Sequence, residues 1–227
     1  MFLIKKVLFL FLTTAVCSFA GDIVWHRSHY IALGVDAPFS WGDLDGKGSF
    51  VANDDEGETI YIPRLGTFPL PTIEIGANIN QHTIAVSFAM WEPDVNYGKG
   101  TDNYTETDAN YWQAMFEYRY YFFWPEDFQI GLGLSYSFSR YSVHSAVFGK
   151  DKYDEDKRST AIYGGNGFAP SINLRYEITQ HLGLDAAFRY RLMYFGSVST
   201  DDGGYSDLSE NLWENFFEIS AKAYFQF

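Results

Sequence analysis

The side chains able to do chemistry are few and poorly grouped for it. The five histidines are His26, His29, His82, His144 and His181. His144 and Ser145 are adjacent, with Asp151 and Asp154 a few residues on, and this is the nearest approach to a hydrolytic set. Neighbouring residues of an extended chain point to opposite faces, so hydroxyl and imidazole would not meet as nucleophile and base. Gly164-Gly165-Asn166-Gly167 lacks the lysine and following helix of a phosphate cradle and reads as a turn. Runs of carboxylates at Asp43-Leu44-Asp45-Gly46-Lys47-Gly48, Asp54-Asp55-Glu56-Gly57-Glu58, Asp151 to Asp156 and Asp201-Asp202 could hold Ca²⁺ or Mg²⁺ through oxygen. None has the downstream bidentate glutamate of a helix–loop–helix calcium site, so solvated acidic loops are the simpler reading and divalent cations the sharper alternative. No catalytic residue and no cofactor is expected.

A second group of charges is spaced differently. Asp36, Glu74, Glu117, Glu177, Asp185, Glu214 and Glu218, with Arg119, Arg175, Arg189, Arg191 and Lys222, occupy positions that alternate with apolar residues. Such spacing puts charge on one face of a strand and hydrocarbon on the other. Enclosed charges must pair. By strand height, Asp185 lies near Lys222 and Arg175, Arg189 near Glu218, and Arg191 between Glu218 and Glu214. Gly131, Gly133, Ser135 and Ser137 on the same face leave room for long side chains.

The elements that position these charges are eight alternating segments: 29–37, 69–79, 82–91, 110–123, 127–141, 168–179, 181–195 and 213–227. In the last, Phe217, Ile219, Ala221, Ala223, Phe225 and Phe227 oppose Glu214, Phe216, Glu218, Ser220, Lys222, Tyr224 and Gln226, and in 110–123 the charged face also carries Gln113. In 127–141, Phe128, Ile130, Leu132, Leu134, Tyr136 and Phe138 form the apolar set. Connections alternate too. Asn80-Gln81, Trp124-Pro125-Glu126 and Thr179-Gln180 are tight turns, whereas 38–68, 92–109, 142–167 and 196–212 read as long polar loops. This is the wiring of an up-and-down meander, and eight strands suffice to close a barrel.

Composition agrees. The 227 residues are 47% hydrophobic and 19% aromatic, with 17 Tyr, 21 Phe and 20 Gly, a mix that favours strands and argues against disorder. A formal net charge of -13 is wrong for a nucleic-acid partner, which needs a basic face. No apolar run approaches the ~20 residues that a helix needs to span a bilayer. Residues 1–20 read as a secretory signal: Lys5 and Lys6, an apolar core from Val7 to Val16, and small residues Ser18 and Ala20 before cleavage ahead of Gly21. The single cysteine, Cys17, lies inside that signal, so the mature chain 21–227 would have no disulfide and no thiolate ligand. Lipidation of Cys17 is the alternative, opposed by the bulky Val16 before it.

The apolar sets contain no Asp, Glu, Lys or Arg, as expected for a lipid face, where an arginine or lysine at mid-depth costs ~2–4 kcal/mol. Aromatic residues gather at both ends of the segments. Trp91, Trp112, Tyr141, Phe168, Tyr194 and Trp213 lie toward the long loops; Tyr120, Phe122, Trp124, Phe128, Tyr176, Phe225 and Phe227 lie toward the short turns. Two such belts suit two lipid–water interfaces, and a soluble ligand-binding barrel gives no reason for them.

On these residues the chain resembles the small eight-stranded outer-membrane barrels of Gram-negative bacteria, the OmpA-transmembrane, OmpX and OmpW-like group. The expected fold is an all-β, eight-stranded, antiparallel up-and-down transmembrane β-barrel with long loops outside and termini in the periplasm. The resemblance implies that Ile219, Phe225 and Phe227 on the terminal strand act as the insertion signal read by the barrel-assembly machinery. It also implies contact with outer-membrane lipid and lipopolysaccharide; the acidic loops, if they hold divalent cations, would bridge to lipopolysaccharide phosphates. A monomer with a plugged, salt-bridged interior, serving envelope integrity or surface interaction, is the leading expectation. A narrow OmpW-like path for small or hydrophobic solutes is the runner-up, and lipid A modification a third possibility.

Overall fold

The structure, a computed structural model, describes residues 27–43, 49–51, 59–61, 69–92, 94–97, 105–123, 127–150, 156–200 and 205–227. The strands are β1 (Arg27–Gly42), β2 (Ser49–Val51), β3 (Thr59–Tyr61), β4 (Leu70–Ile79), β5 (His82–Trp91), β6 (Asp94–Tyr97), β7 (Thr105–Phe123), β8 (Phe128–Lys150), β9 (Asp156–Glu177), β10 (Leu182–Thr200) and β11 (Tyr205–Gln226). Eight of them, β1, β4, β5, β7, β8, β9, β10 and β11, form a closed antiparallel barrel in which each strand pairs with its chain neighbours and β11 returns to β1. His29 and Phe227 exchange backbone hydrogen bonds of 3.0 and 2.8 Å where the first and last strands meet. Asn80 takes the left-handed conformation (φ 54°) in the Asn80-Gln81 turn, as a two-residue hairpin requires.

The barrel wall is taller than the sequence reading anticipates. A strand crosses a bilayer in about 9–11 residues. Strands β4 and β5 have 10 each, whereas β8 has 23 and β9 and β11 have 22. The expected loop 142–167 is thus mostly strand, as are the ends of 196–212. β6 pairs with β7 in the same register as β5, so it continues that strand past residues 92 and 93. The segment 38–68 contains the small β2–β3 hairpin. The reason is a reversal of polarity along the strands. In the lower part apolar side chains face outward: Leu33, Ile75, Val86 and Leu132 are half or more exposed. Higher up the alternation persists with opposite sign. Tyr111, Tyr141, Val143, Tyr163 and Phe195 are buried inside, whereas Asp108, Asn110, Arg140, His144 and Asn166 lie on the outer phase. A search for outward hydrocarbon ends where this inversion begins.

The signal segment 1–20 with Cys17, the turn residue Trp124, and the acidic runs at 44–48, 54–58, 151–155 and 201–202 lie outside the described residues.

Candidate functional site

The lumen is where the sequence concentrates unusual side chains, and its contents form three levels. At the lower mouth, Arg175 of β9 points inward within a cage of three tyrosines. Its guanidinium carbon lies 5.4, 4.8 and 5.0 Å from the ring centres of Tyr30, Tyr121 and Tyr224, within cation–π range. The same group donates to both oxygens of Asp185 on β10, at 3.3 and 2.9 Å, and to Asn78 Oδ1 at 2.8 Å. Two of the cage rings lie across glycines on neighbouring strands. A Cβ at Gly76 or at Gly183 would sit 2.4 Å from Cζ of Tyr30 or Tyr224, so only glycine admits the ring there. Glu177, half-buried below the cage, accepts from Gln129 Nε2 at 3.0 Å.

Above it lies a continuous ionic network. Arg119 of β7 reaches Glu74 (2.8 Å), Glu117 (2.7 Å) and Asp185 (3.4 Å). Lys222 of β11 reaches Glu74 at 2.6 Å and Asp36 at 3.9 Å. Arg189 of β10 joins Glu117 (3.1 Å), Glu218 (2.9 Å) and Asp36 (3.6 Å). Arg191 reaches Glu218 at 3.1 Å, donates to Gln113 Oε1 and stacks on Phe216. With the Arg175–Asp185 pair, five acids and five bases are linked into one balanced group, all buried. Neutral groups complete it: Thr72 donates to Asp36 (2.9 Å), Tyr30 to Glu74 (2.6 Å) and Ser171 to Glu117 (3.2 Å). Such multiple bonding offsets the several kcal/mol of desolvation per ion that an enclosed charge suffers.

The third level is apolar. Leu70, Tyr111, Tyr141, Val143, Tyr163, Met193, Phe195, Val198, Leu212 and Phe216 form one buried cluster inside the upper wall. The rings of Tyr141 and Tyr163 approach to 6.1 Å.

The structure places eleven of the twelve predicted interior charges among buried groups, with Glu177 half-buried at the mouth. It joins Arg175 to Asp185, Arg189 to Glu218 and Arg191 to Glu218. Lys222 is the correction: its backbone lies opposite Asp185, yet its ammonium turns to Glu74 and Asp36, because the bidentate Arg175 fork already holds Asp185. Glu214 is buried above the network opposite Gly42 and Met193. The neutral partners Asn78 and Thr72 and the cage residues Tyr30 and Tyr121 are absent from the sequence reading, which places Gln113 and Tyr224 on the charged faces of their strands without a partner; the signal for all of them is the inward phase they share with the charges.

The belt assignments divide similarly. Phe122, Phe128, Phe168, Tyr176, Trp213, Phe225 and Phe227 are exposed on the outer face, with Trp112, Tyr120 and Tyr194 partly so. Ile219 is exposed there as well. One assignment is corrected: Tyr141 is fully buried in the upper cluster, beyond the level where inside and outside exchange polarity. Trp91, the last residue of β5, pairs with Tyr111 and is exposed. His144 is on the outer phase, with Nε2 2.9 Å from Asn110 Nδ2. Among the described residues no group of three or more His, Cys, Asp or Glu is arranged to hold a metal.

No family model and no curated protein sequence matches this chain. Solved structures do. The outer membrane protein OprG of Pseudomonas aeruginosa superposes with a TM-score of 0.54 at 14% identity, over 91% of this chain and 99% of that one. Ail of Yersinia pestis, solved with the heparin analogue sucrose octasulfate, gives 0.49 at 11%, over 89% and 99%. Neisserial surface protein A gives 0.47 at 21%, with the same coverage. The chain has the fold of the small eight-stranded outer-membrane barrels. At these identities the likeness concerns fold alone.

Proposed function

We propose that this is a non-enzymatic outer-membrane barrel whose lumen is plugged, serving envelope integrity or surface interaction through its acidic loops. One observation supports the reading: a charge-balanced network of buried, mutually paired side chains lies in the lumen between a tyrosine cage below and an apolar cluster above. In this reading a monomer sits in lipid and lipopolysaccharide, inserted by the barrel-assembly machinery through Ile219, Phe225 and Phe227. A narrow, self-paired interior offers no hydrated path for ions. Planar-bilayer recording of the purified chain is expected to show no steady ohmic steps, and regular steps would remove the plugged reading.

A specific feature favours the runner-up, passage of a small hydrophobic solute. The upper lumen is apolar, and Pro170 of β9 lacks the N–H that the ladder needs, so pairing with β10 lapses between Arg189↔Ser171 and Leu192↔Phe168. Under this second reading, uptake of an apolar fluorophore into chain-containing vesicles would exceed that into empty ones even while ionic conductance stays absent.

A further inference from the structure

Among the described side chains, Arg140 is the only exposed Arg or Lys; Arg119, Arg175, Arg189, Arg191 and Lys222 are all buried in the lumen. Arg140 continues the outward phase of β8 directly after Phe138. It shares its rung with Trp112 of β7 and Gly164 of β9. Below it the rings of Phe138 and Phe168 each pack 4.8 Å from Tyr136, in the belt that marks the lipid–water boundary. The guanidinium is therefore at headgroup depth, where an outward arginine carries little of the penalty it would have at the bilayer midplane.

Its surroundings leave the charge available. Nε donates to Ser142 Oγ at 3.4 Å, and the two terminal nitrogens meet no acceptor among the described residues. On the β9 side the floor is open, since a Cβ at Gly164 would touch nothing within 4 Å. Asn110 and Asn166 lie one rung away on the flanking strands and add neutral donors. Among the described side chains, the other exposed ionised groups toward this end are the acids Asp43, Glu92 and Asp108, which leaves the guanidinium as the group there that can attract an anionic headgroup. A planar fork beside open space, level with the headgroups and with no carboxylate bound to it among the described residues, suits a phosphate oxygen pair.

We propose that Arg140 is a lipid-phosphate site: a point on the upper outer wall where a phosphate-bearing headgroup of the outer leaflet is held by a bidentate guanidinium. The proposal rests on the membrane-barrel reading and adds a ligand chemistry to it. The test uses the full chain in detergent micelles, with native mass spectrometry reading retained lipid. The probes are lipid A with its phosphates, the same lipid dephosphorylated, and inorganic phosphate. The native protein is expected to retain the phosphorylated lipid about tenfold more strongly than the dephosphorylated form. Arg140→Gln should erase that preference, and Arg140→Lys should keep only part of it, because an ammonium lacks the fork. The substitution is on an exposed position, and the mobility of unheated protein on gels checks that the barrel is intact.

Equal retention of the two lipids by the native protein would overturn the proposal, as would an unchanged preference in Arg140→Gln. Binding that needs Mg²⁺ and survives Arg140→Gln would assign the phosphate to metal bridging by carboxylates such as Asp108. Protection by inorganic phosphate alone, equal to that by the lipid, would make the free anion the ligand. Failure of the barrel reading would look different: a chain monodisperse without detergent that takes up none of the lipids.

Discussion

The lower and upper halves of the barrel solve opposite problems with the same backbone. In the lower half the outside is hydrocarbon, so Leu33, Ile75 and Leu132 face out and five acids and five bases pair on the inside. In the upper half the outer phase holds Asp108, Asn110, Arg140 and Asn166, and Tyr141, Tyr163 and Phe195 turn inward as in a soluble barrel. The solvent around the wall, rather than any change in strand geometry, decides which face takes the apolar side chains. The lower interior must satisfy every charge it encloses, whereas the upper interior need only pack.

The sharpest way to break this contrast is at the hub of the network. Arg119→Leu removes one ion pair from each of Glu74, Glu117 and Asp185, which keep Lys222, Arg189 and Arg175, and leaves the buried group one positive charge short; it is expected to cost about 3–5 kcal/mol, read from urea unfolding in micelles. Adding Glu117→Gln should recover part of that loss; a loss below about 1 kcal/mol would mean that the three acids find other partners or water. The next effect compares the two outer faces directly. Leu132→Arg, on the lipid face, is expected to lose ~2–4 kcal/mol, whereas Asn166→Lys, on the polar upper wall, should stay within about 0.5 kcal/mol. Equal losses would deny the change of surroundings. The smallest effect sharpens the lower seal. Gly183→Ala drives a methyl into the Tyr224 ring of the Arg175 cage, and overpacking of this kind costs about 1–3 kcal/mol in the same measurement. A neutral result would mean that the ring moves freely and the cage is loose.

Much of the lower half is legible in the residue order. Alternation in 127–141 or 213–227 locates strand, face and charge together, because lipid outside and charge inside give a strong two-residue signal. Arg175 with Asp185 and Arg189 with Glu218 can be matched by counting from the short turns. Lys222 cannot: its long side chain passes its opposite neighbour and reaches across the lumen to Glu74. The upper half is harder to read, because Ala161, Tyr163, Gly165 and Gly167 look like loop residues when hydrocarbon is sought on the wrong face. A bulge between Phe195 and Ser197 then shifts the phase once more.

The order of residues by itself determined the strand number, the meander and the lipid-facing side, since each follows from local alternation and turn placement. Only the tertiary structure decided how far the wall rises, which charges share a partner, and that Arg175 sits among Tyr30, Tyr121 and Tyr224. Those depend on strand stagger and side-chain reach across a closed lumen, distances that no periodicity along a single chain encodes.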